Sequence, residues 1–282
     1  MIPLFVELCA GTAALSLRLH GGKNARPPVS RMGNKQGYAQ AILRTMGLRS
    51  GSGASRYLLC EPDDGCRLLL TSYTDADLRS KAAEIIRGWK DEDPRALWER
   101  LRAEGPVKAP PVDPREVARW LAVGQLSYRQ MQPESGFNPG MAKDAASPCW
   151  RLDLPGVADA LPTLPPLPAS ILPDARAVDP PQLPPGSVVY IDPPYVNTTG
   201  YAHDLGREAV CELAERWASA GACVVISEAE PLAELGWHQV EITGERVGQK
   251  RTFSKQQREY LTMNRPPAWR PSIQSALFSV TA

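Results

Sequence analysis

The order of residue patterns predicts an α/β protein whose sheet is interrupted by a long insertion, at about 76–177. Three observations point there. Near the start, the apolar run Leu4 to Leu8 meets the small-residue turn CAGTAA, and Leu15 to Leu19 continue at helical spacing. Far along the chain, VVYI, a helical stretch from Leu205 to Ala220 and ACVVIS repeat the alternation. Between them, from Gln132 to Pro185, proline and glycine are dense, and LPTLPPLPASILP is close to low complexity.

The remaining elements follow from the same patterns. A proline-bearing loop, HGGKNARPPVSRMGNK, leads to a helix from Gln36 to Met46, and YLLCEPDDG reads as a second strand ending in acids. Helical spacing recurs from about Asp64 to Thr71, Leu78 to Trp89, Pro94 to Ala103 and Pro114 to Gln130. The proline-rich stretch from Gln132 to Pro185 is expected to be irregular, with one hairpin around SGFNPGM. After ACVVIS come a short helix and the strands WHQVEI and EYLTMN.

Composition narrows the class. With 282 residues, 43% of them hydrophobic, the chain can bury a large core, as one domain with an insertion or as two modest domains. A net charge of +1 neither favours nor excludes a polyanionic partner, because a local basic face can coexist with overall balance. The six cysteines form no C-x-x-C pair and several lie in apolar runs, which points to a reducing, cytoplasmic setting without zinc. The histidines His20, His203 and His238 are scattered and make no metal set. The opening MIPLFVELCAG lacks a basic start and a long apolar region, and no run approaches the roughly 18 apolar residues of a membrane span.

Two motifs carry chemistry. In FVELCAGTAALSL, the small residues Ala10, Gly11, Ala13 and Ala14 let a ligand approach backbone amides where a helix starts. The turn lacks the further glycines of G-x-G-x-x-G, so a pyrophosphate-bearing dinucleotide fits it poorly. S-adenosylmethionine needs less clearance, and Glu61, closing YLLCE, stands where its ribose hydroxyls want a carboxylate. The second motif is VVYIDPPY. Pro193 and Pro194 cannot extend a strand ladder and hold the chain in one shape, leaving Asp192, bare carbonyls and Tyr195 side by side to accept hydrogen bonds from an amine and stack on its ring. Asp179-Pro180-Pro181 repeats the acid and prolines, but no apolar strand feeds it and no aromatic follows, so it reads as linker. In SPCWR, Trp150 stands where a C5-cytosine methyltransferase expects glutamine, which argues against a covalent cysteine mechanism.

Together these motifs resemble the amino-methyltransferases that act on adenine N6 in DNA, in particular their Dam-like branch. The acid-Pro-Pro-aromatic motif matches Asp192, Pro193, Pro194 and Tyr195, and the cofactor turn resembles FVELCAGTAALSL. SRMGNKQGYAQAIL is similar to the branch's Arg/Lys-x-x-Gly-Lys segment, although here it follows the turn rather than preceding it. ARWLAVGQLSYRQMQPESGFNPGM resembles a long helix and a Gly-x-Phe-Asn-x-Pro hairpin of the target-recognition region, while VVISE and RTFSKQQREYLTMN resemble later strands.

The resemblance implies a Rossmann-like, S-adenosylmethionine-dependent methyltransferase sheet with an inserted target-recognition region. It implies catalytic residues Asp192, Pro193, Pro194 and Tyr195, and cofactor contacts from Glu7, Cys9, Ala10, Gly11, Lys35, Glu61, Asp174 and Asp192. Contacts to DNA would come from Arg129, Phe137 and Asn138 in the insertion and from the basic cluster Arg246, Lys250, Arg251, Lys255 and Arg258. The corresponding parts are 1–75 (cofactor binding), 76–177 (recognition and proline-rich linker), 178–264 (the DPPY part) and 265–282, a tail. Its QSALF resembles peptides that dock on the replication sliding clamp, through Gln274, Leu277 and Phe278. Cytosine N4 or RNA as the target, protein glutamine methylation, and nucleic-acid binding without catalysis are the alternatives.

Overall fold

The computed structural model describes residues 1–29, 35–109, 112–127, 136–138, 154–195, 205–242 and 259–268. It is α/β. Among the described residues, seven strands form one mixed sheet: β1 (Ile2–Leu8), β2 (Ala54–Cys60), β3 (Ala169–Leu172), β4 (Val188–Ile191), β5 (Cys223–Glu228), β6 (His238–Ile242) and β7 (Glu259–Met263). Their order is β3-β2-β1-β4-β5-β7-β6, with β7 antiparallel to both of its neighbours and the other pairings parallel. The arrangement is compatible with a Rossmann-like fold, whose order reverses between the first and fourth strands; ligands bind outside the carboxyl ends at that switch point.

Alternate side chains along each strand feed two cores, as the pleat requires. On one face, Phe5, Tyr57, Leu59, Tyr190, Val225 and Leu261 join the apolar cluster lined by α1 (Ala14–Gly21), α2 (Ala39–Thr45) and α3 (Asp64–Thr74). The same cluster runs on through α4 (Ala76–Gly88), α5 (Pro94–Ala103), α6 (Pro114–Leu126) and α7 (Leu154–Ala160), so the helices of 76–177 share a core with the sheet. On the other face, Val6, Leu8, Val189, Ile191 and Ile226 pack with Val210, Leu213 and the fully buried Trp217 of α8 (Arg207–Ser219).

Within the stretch expected to be irregular, the described residues 154–172 depart from that expectation, while most of the expected hairpin around SGFNPGM lies outside the described residues. Leu154, Val157, Ala158 and Leu161 are buried at helical spacing, and Pro155 sits in the first turn of α7, where a missing N–H costs little. The residues Ala169–Leu172 form β3, which among the described residues pairs with β2 alone. Pro168 and Pro173 flank this short edge strand, a position that tolerates proline. Among the described residues, no helix is long and apolar enough to cross a membrane.

Candidate active site

Register brings the carboxyl ends of five parallel strands level. Leu172, Cys60, Leu8, Ile191 and Ile226 lie in one row from β3 to β5. The chain just beyond that row supplies Asp174, Glu61, Cys9, Asp192, Ser227 and Glu228. The antiparallel β7 contributes its first residue, Glu259, to the same edge, because Tyr260 pairs with Glu228.

The turn after β1 is strained and well held. Cys9 and Ala13 adopt left-handed backbone at φ 58 and 51, and so does Gly11 at φ 51; a non-glycine residue in this region costs roughly 1–2 kcal/mol. The Ala10 N–H donates to the Cys60 carbonyl at 2.9 Å, and the Gly11 N–H donates to Glu61 Oε2 at 2.7 Å. Glu61 Oε1 accepts from the Asp63 N–H at 3.0 Å. These two bonds fix the orientation of the Glu61 carboxylate at the end of β2. Glu7 turns inward, where its Oε2 accepts from the Ser16 N–H at 3.0 Å and from the Ser16 hydroxyl. Burial pushes its carboxyl up to about 7, against those hydrogen bonds.

On the other side of the switch point, the Asp192 N–H continues the ladder to the Leu8 carbonyl at 3.1 Å, and the prolines then end the strand. Asp192 Oδ1 accepts from Ser227 Oγ at 3.0 Å and pairs with Lys35 Nζ at 2.8 Å. Ser227 also bonds the Tyr190 hydroxyl at 2.7 Å. Lys35 opens a 3-10 turn, Lys35–Gly37, ahead of α2. Its ammonium lies 3.6 Å from Glu259 Oε1 and 4.3 Å from the centre of the Tyr195 ring, a cation–π distance. The Tyr195 hydroxyl donates to the same Glu259 oxygen. Burial raises the carboxyls of Asp192 and Glu259, opposed in both by Lys35, and lifts Glu228 to about 7.

Most of the residues expected to contact a cofactor lie at this edge. The Cys9 thiol is held well above its ordinary range by burial first, and then by the charges of Glu61, Asp192, Cys60 and Asp174. Asp174 follows β3 and is half-buried; it accepts from the Arg176 N–H at 2.9 Å and from that guanidinium at 3.1 Å. Asp179, in the other acid-Pro-Pro run, is exposed and ends no strand. In the insertion, the Phe137 ring lies 5.9 Å from Trp98, and the Asn138 N–H donates to the Leu126 carbonyl at 2.8 Å, tying this segment to the end of α6. Arg129, Arg246, Lys250, Arg251, Lys255, Arg258, Gln274, Leu277 and Phe278 lie outside the described residues. The sequence motifs assign no role to Tyr190, Ser227, Glu228 or Glu259. One signal exists: VVISE ends a buried strand on a hydroxyl and an acid, as VVYID ends one on an acid.

No protein-family model matches the chain, and no curated protein matches it either.

Proposed function

We propose that the protein transfers a methyl group from S-adenosylmethionine to the exocyclic N6 of adenine in DNA. The reading is carried by one juxtaposition: the strained turn with Glu61 on one side of the switch point, and Asp192-Pro193-Pro194-Tyr195 on the other, one strand away. The donor set suits this cofactor. Buried carboxylates are costly unless they face cations; here Lys35 meets the half-buried Asp192 and the buried Glu259, and Glu61 and Glu228 lie buried along the same edge. S-adenosylmethionine carries two cationic groups, an ammonium and a sulfonium. Glu61 would hold the ribose hydroxyls, and Glu7, Asp174 and the turn would line the remainder. When bound, the cofactor supplies a methyl carbon activated by the sulfonium.

The chain's own residues would supply orientation and polarity. An exocyclic amine is a poor nucleophile because its lone pair is delocalised into the ring. The Asp192 carboxylate and the Pro193 carbonyl, accepting its two N–H bonds, favour the pyramidal nitrogen that develops during attack. Tyr195 stacks on the base, a contact worth about 1–3 kcal/mol in single-strand binders. A base within duplex DNA has to be flipped out, at a cost of a few kcal/mol. The basic run at 246–258 would neutralise phosphates, and the tail would dock on a sliding clamp and so raise local concentration on new DNA.

The test is transfer of labelled methyl from the cofactor to DNA, followed by nucleoside analysis. Label in N6-methyladenine is expected. Label in N4-methylcytosine, in RNA or in protein glutamine would replace the reading with the corresponding alternative.

A further inference from the structure

Lys35 occupies both places that an amine-bearing base would use. Its ammonium sits 2.8 Å from Asp192 Oδ1, on the carboxylate that is to pull on the amine, and 4.3 Å over the Tyr195 ring, on the surface that is to stack. Its charge also has the wrong sign for the reaction, because the positive charge that leaves the sulfonium as its C–S bond breaks arrives on the attacking nitrogen, and a cation held beside that nitrogen in a buried site repels it strongly. With Lys35 at 6% exposure, withdrawal into water means leaving the protein interior. A second anchor is already in reach. Glu259, 2% exposed, presents Oε1 at 3.6 Å from the same ammonium.

We propose that Lys35 shifts from Asp192 to Glu259 when the target base enters, and that Glu259 is the positioning residue that receives it. This rests on the methyltransferase reading. Ser227, already on Asp192 Oδ1 and braced by the Tyr190 hydroxyl, holds the vacated carboxylate in place. Because the Tyr195 hydroxyl is bonded to Glu259, the aromatic ring stays anchored to the element that takes the charge. Burial and the lowering effect of Lys35 on both carboxyls agree with one cation shared between two anions.

A double-substitution cycle tests this, with kcat and KM for DNA measured beside cofactor affinity. Glu259→Gln keeps an acceptor for Tyr195 but removes the charge that draws Lys35 away, so kcat is expected to fall about tenfold or more, with cofactor affinity changed less than about twofold. In a Lys35→Met background there is no cation to relocate, and the same substitution should then change kcat by less than about twofold. Glu259→Asp, which restores the charge, should recover much of the loss and serves if the glutamine variant folds poorly. Equal losses in both backgrounds, or an aspartate variant as slow as the glutamine one, overturn the exchange while leaving the methyltransferase reading intact. A wild-type chain that transfers no methyl group to DNA overturns that reading, and this inference with it.

Discussion

Glu7 pays for its position with its proton. Its carboxyl rises from 4.5 to about 7 because it is buried, with the Asp192 charge adding a smaller push in the same direction. The folded state therefore holds a proton that the unfolded state releases, so this contribution to stability is complete below pH 4.5 and is lost as pH rises through about 7. At about 1.4 kcal/mol per pH unit the loss is on the order of 3 kcal/mol. Glu7→Gln, whose side-chain carbonyl can accept both Ser16 bonds, should flatten this slope; urea midpoints at about pH 5 and about pH 8 would reveal it. A variant as pH-sensitive as the wild type would mean that other groups set the slope. At Asp192 the expectation is kinetic. Asp192→Ala should abolish methylation with cofactor binding still measurable, and wild-type turnover in that variant would sink the proposed role. Tyr195→Ala should slow the reaction far more than Tyr195→Phe, because stacking uses the ring, although the phenylalanine also strips Glu259 of a donor. Equal losses would point to the hydroxyl instead.

At the scale of elements, α3 and α6 meet at a point that admits no side chain. A Cβ added at Gly65 would lie 1.9 Å from Trp120 Nε1 and 2.2 Å from its Cδ1. Gly65 follows the N-cap Asp63, which accepts from the Cys66 N–H at 2.7 Å, and Glu61 stands just before that cap. Gly65→Ala should therefore force the indole aside at a cost of about 1–3 kcal/mol and disturb the end of β2 as well. A lowered melting temperature together with weakened cofactor binding is expected; an unchanged melt would show that Trp120 yields without strain. This pair has no local trace, since a glycine in a helical pattern reads only as a weaker helix. The prolines around β3 misled in the opposite sense. They mark a linker by composition, yet an edge strand needs ladder bonds on one side only, and Asp174 is carried to the site on its end.

For the whole molecule, net charge says little and distribution decides. With a balance of +1, the proposed binding to DNA would come from local basic groups, and the run Arg246 to Arg258 is the densest in the sequence. Replacing Arg251 and Lys255 with glutamine should weaken binding across all sequences and reduce the slope of log K against log salt by up to about 2, since each phosphate contact contributes about 0.9. An unchanged slope, measured by fluorescence anisotropy over a salt series, would exclude this run from the interface. Sequence alone determined the alternating elements, the turn after β1 and the Asp192-Pro193-Pro194-Tyr195 corner, because periodicity, proline chemistry and small-residue turns are written in neighbouring residues. Only the tertiary structure decided what Asp192 faces. Lys35 arrives from the turn before α2, and Glu259, 64 positions beyond Tyr195, arrives because β7 runs antiparallel and so delivers its first residue to the edge where the parallel strands end. Strand order and direction are settled by how buried faces pack across the whole sheet, and no local pattern encodes them.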